Sequence, residues 1–402
     1  MKSKAWHPRR TAASASHSPQ VAIVTNVLSH YRLACFEELS TRLGGRLTVF
    51  TLDADMKHRR YVLAADAGDE LTVVRLPGIG RSRPPADDKH LNLIAPVMRS
   101  RPTLLVLGGW DEPTYLLLLA RARLARVATM FWVESTSGDS PRTAGRERFK
   151  SLLLRGASGC ITPGRRAAEY CRQLGMPEDR IFTAPNATDS RYFSGAAAEL
   201  APRRQALRQA QGLSGFAVLF VGRLVEAYKG VATLVEACAL LAERGTACTL
   251  LVAGDGPDAD SYASLADRLG LDSVRFLGTL GHAQLCEYYA TADVLVLPSR
   301  SEPWGFVVNE AMEFGLPIVA SDRVGAAADL VRSGENGYVF PAGDASALAD
   351  ALEKLGGDGA SRAAMGARSR AMIESFSPAR WADGLMEAVG AADPTRTELL
   401  ST

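Results

Sequence analysis

The sequence predicts an α/β protein made of two doubly wound, Rossmann-like domains that face each other across a cleft. Three observations carry this. Short β-branched apolar runs alternate with helical patterns from Val21 onward, as parallel strands covered on both faces by crossover helices require. The alternation lapses once, from Ser194 to about Gly215, over AAAELAPRRQALRQAQGLSG, and then restarts. The chain has 402 residues, too many for one ordinary domain and comfortable for two.

In the first half the strand candidates are VAIVTNV (from Val21), RLTVFTL (Arg46), LTVVRLP (Leu71), TLLVLGG (Thr103), VATMFWV (Val127), GCIT (Gly159) and RIFTAPN (Arg180). Helical stretches such as YRLACFEELSTRLG and ERFKSLLLRGA lie between most of them. After the lapse come AVLFVG, CTLLVAG, VRFLGT, VLVLPS, PIVAS and GYVF. Beyond Asp344 the chain turns helical, and Ser377-Pro378 reads as an N-cap with proline at the first position of a last helix. The expected organisation is a disordered tail over 1–20, an N-terminal domain over 21–195, a linker over 196–215, a C-terminal domain over 216–375, and a closing helix and tail over 376–402. The basic residues of the first 20 precede no apolar segment, so they do not read as a signal peptide.

Composition narrows the class. Hydrophobic residues make up 47% and charged residues 22%, normal for a globular protein, and a net charge of +2 points to no nucleic-acid partner. Cys35, Cys160, Cys171, Cys238, Cys248 and Cys286 form no CxxC pair and several sit in apolar runs, which reads as reduced core cysteine in the cytoplasm. No apolar run reaches the roughly 18 residues that span a bilayer. Basic patches mark the first half at Lys57-His58-Arg59-Arg60, at Arg81 with Arg83, and at Arg121, Arg123 and Arg126. The last group lies on PTYLLLLARARLAR, a segment that fits peripheral contact with the inner face of a membrane. A buried crossover helix explains the same letters and is the favoured reading.

Three segments carry chemistry. In SRSEPWGFVVNEAMEFGLPIVAS, Glu302 and Glu310 are separated by seven residues; Pro303 and Gly305 mark a loop, Phe306 to Phe314 a helix, and Gly315 its end. Free amides at such a helix start, around Gly305 to Val307, bind phosphate. Carboxylates beside them accept hydrogen bonds from vicinal hydroxyls. The plain alternative makes Glu302 a partner of the helix dipole and Glu310 a surface charge. In VLFVGRLVEAYKG, Arg223 and Lys229 stand on the loop after a strand, where two cations can neutralise a diphosphate; two solvated loop cations are the usual case. LLVAGDGP, with Gly254, Asp255, Gly256 and Pro257, is a turn signature read as structural.

Together these segments resemble the retaining family 4 glycosyltransferases (glycosyl transferases group 1) with the GT-B fold. The resemblance is strong from Val218 to Pro341 and looser from Val21 to Phe193. It rests on Gly222-Arg223 with Lys229-Gly230, Gly254-Asp255-Gly256-Pro257, Glu302 to Glu310, Val324-Gly325, and Gly334-Glu335-Asn336-Gly337, in the family's order and spacing. It implies that Arg223 and Lys229 hold the diphosphate of a UDP- or GDP-hexose donor. Glu302 would contact the transferred sugar, the amides of Phe306 and Val307 the phosphates, and Glu310 the ribose hydroxyls. Gly222, Gly254, Gly256, Pro303 and Gly305 belong to the same donor-site loops. The resemblance implies no metal and no prosthetic group, and a last helix that crosses back onto the first domain. Two departures stand out: Ala326 replaces the second glycine of a VGG turn, and the loop LVEAY is a little long.

The N-terminal half is expected to hold the acceptor: a glycan, a lipid-linked sugar or a small molecule. NVLSHYR stands where the family often has a glycine-rich loop and offers Asn26, Ser29, His30, Tyr31 and Arg32 to acceptor or phosphate, with a Tyr-Arg pair that resembles a subset of members; His30 and Tyr31 capping the first helix is the alternative. In WVESTS, Glu134 stands where many members carry a histidine, and is the candidate to accept an acceptor hydrogen bond or proton. Gly108-Gly109-Trp110-Asp111 lines the acceptor side, and acceptor choice is assigned to loops 53–70 and 78–92. The expected reaction is front-face transfer with retention. Alternatives of the same fold are a nucleotide-sugar epimerase and a phosphorylase, the latter usually longer. A non-catalytic sugar-binding protein is a further alternative. A dinucleotide oxidoreductase lacks its G-x-G-x-x-G. No obligate protein partner is evident.

Overall fold

The structure is a computed structural model and describes residues 19–26, 28–52, 71–75, 89–110, 112–138 and 142–392. Most of the expected tail over 1–20, loop 53–70, most of loop 78–92, the basic patches at Lys57–Arg60 and Arg81 with Arg83, Asp111, and residues 393–402 lie outside the described residues.

All thirteen apolar runs form strands, in two sheets whose pairings are all parallel. The first sheet holds β1 (Val21–Thr25), β2 (Leu47–Thr51), β3 (Thr72–Arg75), β4 (Leu104–Leu107), β5 (Ala128–Trp132), β6 (Gly159–Thr162) and β7 (Ile181–Thr183), in the order β3-β2-β1-β4-β5-β6-β7. The second holds β8 (Phe216–Val221), β9 (Cys248–Ala253), β10 (Val274–Gly278), β11 (Val294–Leu297), β12 (Ile318–Ser321) and β13 (Gly337–Phe340), in the order β10-β9-β8-β11-β12-β13. Each order reverses between two central strands, β1 beside β4 and β8 beside β11. Crossovers leave these strands to opposite sides and open a crevice at their carboxyl ends.

The strands are buried on both faces because helices cover both. Alternate residues of β1 feed different layers. Val21 and Ile23 pack with Phe36 and Trp381, while Ala22 and Val24 pack with Leu118 and Tyr170. The last helix, Pro378–Ala391, begins at Ser377, whose hydroxyl accepts from the Arg380 N–H at 3.3 Å. It lies on the first sheet: Trp381 stands 5.7 Å from Phe36 and 5.4 Å from Trp132, ring centre to ring centre. Gly384 lets the helix approach β7, since a Cβ there would strike the Thr183 carbonyl.

Much of segment 196–215 is helical, within Ser190–Leu200 and Arg204–Ala210. It is tied to the second sheet by Asp293, which accepts from Arg204 at 2.7 Å, Arg208 at 3.1 Å and the Ala217 N–H at 2.8 Å. The basic apolar helix is the crossover Pro113–Leu124 and buries Tyr115, Leu118, Leu119 and Ala122, as packing favours. Among the described residues, no helix is long and apolar enough to cross a membrane.

Candidate active site at the domain junction

The site grows from the carboxyl ends of β8 and β11. After β8, Gly222 leads into a loop zipped to the one after β9: the Gly222 N–H donates to Ala253 O at 3.0 Å and the Leu224 N–H to Asp255 O at 2.9 Å. A Cβ on Gly254 or Gly256 would strike the carbonyl of Gly222 or Leu224, so the GDGP turn is glycine-rich to let two backbones touch. Lys229 lies in a short helix, Glu226–Lys229, rather than in an open loop. Gly230, at φ +61°, ends that helix against the Pro298 carbonyl. The Lys229 ammonium is ion-paired with Glu302, so it is not a freely solvated cation. Arg223, on the loop that follows β8, is exposed.

After β11 the chain passes Glu302 and turns at Gly305, φ +98°, into the helix Phe306–Glu313. Phe306 and Val307 occupy its first turn, where N–H groups have no carbonyl four residues back within the helix. The Glu302–Trp304 segment is strapped by the turn after β12: the Gly325 N–H donates to Glu302 O and the Ala326 N–H to Trp304 O, both at 2.9 Å. A Cβ on Gly325 would strike the Pro303 carbonyl, so glycine is needed there. Ala326 has φ −60° and ψ −28°, a conformation open to any residue, so the backbone there does not require a second glycine.

Glu310 is not a surface charge. It is 2% exposed. Its carboxylate accepts from Tyr289 at 2.6 Å and from the Tyr31 hydroxyl, which reaches across from the first domain. Burial pushes its pKa from 4.5 up to about 7, and the two phenols pull it back only in part. The Tyr31 ring stacks on Phe306 with centroids 4.6 Å apart and planes within 4°. Tyr31 is therefore no helix cap; the first helix, His30–Arg42, has Ser29 at its N-cap position. The His30 side chain lies outside the described residues. The junction continues through Asn309, which accepts from the Trp304 indole at 2.9 Å and donates to Asn186 O at 2.9 Å. Arg165 pairs with Asp329 at 3.1 Å.

One residue beyond Tyr31, Arg32 lies 4.8 Å over the Trp132 ring, donates to Thr25, and pairs with Glu134 at 3.3 Å. Asn26, at the end of β1, accepts from the Tyr115 hydroxyl. The fold thus gathers Lys229 with Glu302, Glu310 with Phe306, and Arg32 with Glu134, and Tyr31-Arg32 joins the last two groups. The sequence offers Tyr31 to an acceptor or phosphate, not to Glu310, and does not offer Tyr289 at all. Tyr31 was visible there only as part of HYR, and nothing marked Tyr289, a buried tyrosine on a crossover helix.

Two parallel sheets whose switch points meet at one junction, with a helix start at its centre, define a GT-B protein. Residues 30–187 match the glycosyl transferase 4-like domain and residues 204–372 match glycosyl transferases group 1. The chain belongs to the glycosyl transferases group 1. It is 35% identical over 269 residues to a D-inositol 3-phosphate glycosyltransferase of Nocardia farcinica, covering 63% of this chain and 57% of the relative. It is 32% identical over 208 residues to an alpha-D-kanosaminyltransferase of Streptomyces kanamyceticus, covering 51% and 53%. These matches span little more than half the length of either relative. The Anabaena HepE structure in complex with UDP and glucose has the same fold, with a TM-score of 0.67, 20% identity, and coverage of 92% of this chain and 100% of that one.

Proposed function

We propose that this protein is a retaining hexosyltransferase of family 4 that needs no metal. It moves a hexose from a UDP- or GDP-linked donor to a hydroxyl of a glycan, lipid-linked or small-molecule acceptor. The observation that carries the reading is the pairing of Lys229 with Glu302 beside the helix start at Phe306, with the buried carboxylate of Glu310 one turn on. The names of the relatives support transfer over epimerisation or simple sugar binding.

In this reading the diphosphate lies against the Phe306 and Val307 amides, with Arg223 and Lys229 neutralising it. Glu302, ion-paired with Lys229, accepts hydrogen bonds from the hexose hydroxyls and fixes the sugar. The bond from the anomeric carbon to the β-phosphate oxygen breaks as charge builds on the diphosphate, where the two cations stabilise it most. The acceptor oxygen bonds to the same face, and its proton passes to the departing phosphate or to Glu134. Glu310 takes the ribose hydroxyls in exchange for the Tyr31 hydroxyl.

The test is nucleotide binding followed by product analysis. UDP or GDP raises the melting temperature, and Arg223→Ala and Lys229→Ala each weaken binding by roughly tenfold or more, as lost charge-assisted contacts predict. Transfer persists in EDTA with retained anomeric configuration by NMR. Unchanged nucleotide affinity in both variants defeats the phosphate assignment, and a strict need for a divalent ion defeats the metal-independent class.

A further inference from the structure

The first domain carries a surface that the reaction does not use. The helix Ala144–Arg155 joins β5 to β6 and buries only Leu154. At 100° per residue, Leu152 points opposite Leu154's side, and Phe149 stands beside it. Leu152 is 69% exposed and Phe149 47% exposed, against the ordinary placement of such side chains. Arg148 and Arg155 flank Leu152 on one side of the wheel and Arg146 borders Phe149 on the other. All three are exposed, and among the described residues none has a carboxylate within ion-pair distance. The helix's single acid, Glu147, is turned inward, bound to Arg142 at 2.8 Å and Lys150 at 3.4 Å.

The neighbouring crossover extends the patch. Leu124, the last residue of Pro113–Leu124, is 83% exposed, with Arg121 and Arg123 exposed before it. The Arg123 guanidinium lies against Gly156, at the end of Ala144–Arg155, so the two helix ends adjoin. Leu152 also borders a cavity of about 570 Å³ lined by Arg142, Glu147, Arg148, Arg155, Tyr170 and Leu174 among others. Helices of a parallel βαβ fold run against their strands. The ends that bear Leu124 and Arg155 therefore lie away from the carboxyl edge of the sheet and leave the active site open.

We propose that this face docks on an anionic lipid bilayer, with Leu152, Phe149 and Leu124 entering the headgroup boundary and Arg148, Arg155 and Arg123 meeting lipid phosphates. Charge and shape select the occupant. Two of the three apolar side chains, Leu152 and Leu124, are aliphatic and offer no ring for a base to stack on, and long basic stems around an apolar centre are the pattern of helices lying in a membrane interface. The inference stands independently of which sugar is transferred.

The test is flotation of the full chain with vesicles of phosphatidylcholine alone and of phosphatidylcholine with phosphatidylglycerol at about three to one. The expected result is recovery with the anionic vesicles and not with the neutral ones. Leu152→Ser with Phe149→Ser, and separately Arg148→Gln with Arg155→Gln, each lower the vesicle affinity by roughly tenfold or more, since each cation near such a surface counts for about that order in pairs. Both double variants keep the parent's melting temperature and UDP-induced shift, which separates lost docking from lost folding. Three results overturn the proposal: no recovery of the parent, equal recovery of parent and both variants, or loss only in the arginine variant, which marks plain electrostatic adsorption. Self-association of the parent that the serine variant abolishes, without vesicle binding, assigns the face to a second copy and likewise overturns it.

Discussion

Replacing Glu310 by glutamine reads out the burial of its carboxyl directly. In the folded chain burial raises this group from 4.5 to about 7, so the native state holds its proton more tightly than the unfolded state does. Its stabilisation is fully present below pH 4.5 and is lost as pH rises through 7. That rise corresponds to about 3 kcal/mol between the two limits. Glutamine carries no charge at any pH. Its amide oxygen can accept from one of Tyr31 and Tyr289, and its NH₂ can donate to the hydroxyl oxygen of the other. Glu310→Gln is therefore expected to match the parent at pH 4.5 to 5 and to exceed it by about 3 kcal/mol at pH 8. For a domain of this size the gap is roughly 6–10 °C in melting temperature. Glu313, which burial also raises to about 7, is present in both proteins and cancels in the difference. The neighbours are Tyr31, Tyr289 and Cys286; burial holds the Tyr289 phenol, and the Cys286 thiol at about 11, above their usual values, so neither titrates in the window. The assay is thermal melting of both proteins without ligand from pH 5 to 8. A gap that does not widen with pH, or a variant less stable than the parent at pH 8, refutes the reasoning.

Other perturbations test other parts of the structure. Glu302→Gln keeps the fold but removes the partner of Lys229, and turnover is expected to fall by about 10² or more while UDP affinity changes little; near-normal turnover takes Glu302 out of the site. Gly325→Ala drives a methyl onto the Pro303 carbonyl and displaces the Glu302 segment, with an expected loss of about 2–3 kcal/mol and of activity together, measured by urea unfolding and transfer rate. Trp381→Ala opens a cavity between the last helix and Phe36 and is expected to cost about 3–5 kcal/mol; a loss under 1 kcal/mol means the helix contributes little to the first domain.

The strands and their parallel class were legible because each is a short apolar run buried on both faces, a local signal. The helix Phe306–Glu313 was legible for the same reason: Gly305 and Gly315 take φ of +98° and +69°, conformations that glycine announces in the letters themselves. The helical course of residues 190–210 was missed because an alanine- and arginine-rich segment shows little apolar period; Asp293, far along the chain, anchors it. The site divides in the same way. Its glycines and glutamates could be named from spacing, but their surroundings could not. Whether Glu310 faces water depends on Tyr31, 279 residues earlier, and Lys229 meets Glu302 across 73 residues. Sequence periodicity reports which side of its own element a residue occupies. Burial, ion pairing and proton affinity are decided by what another element brings to that side, and only the docking of the two domains supplies that.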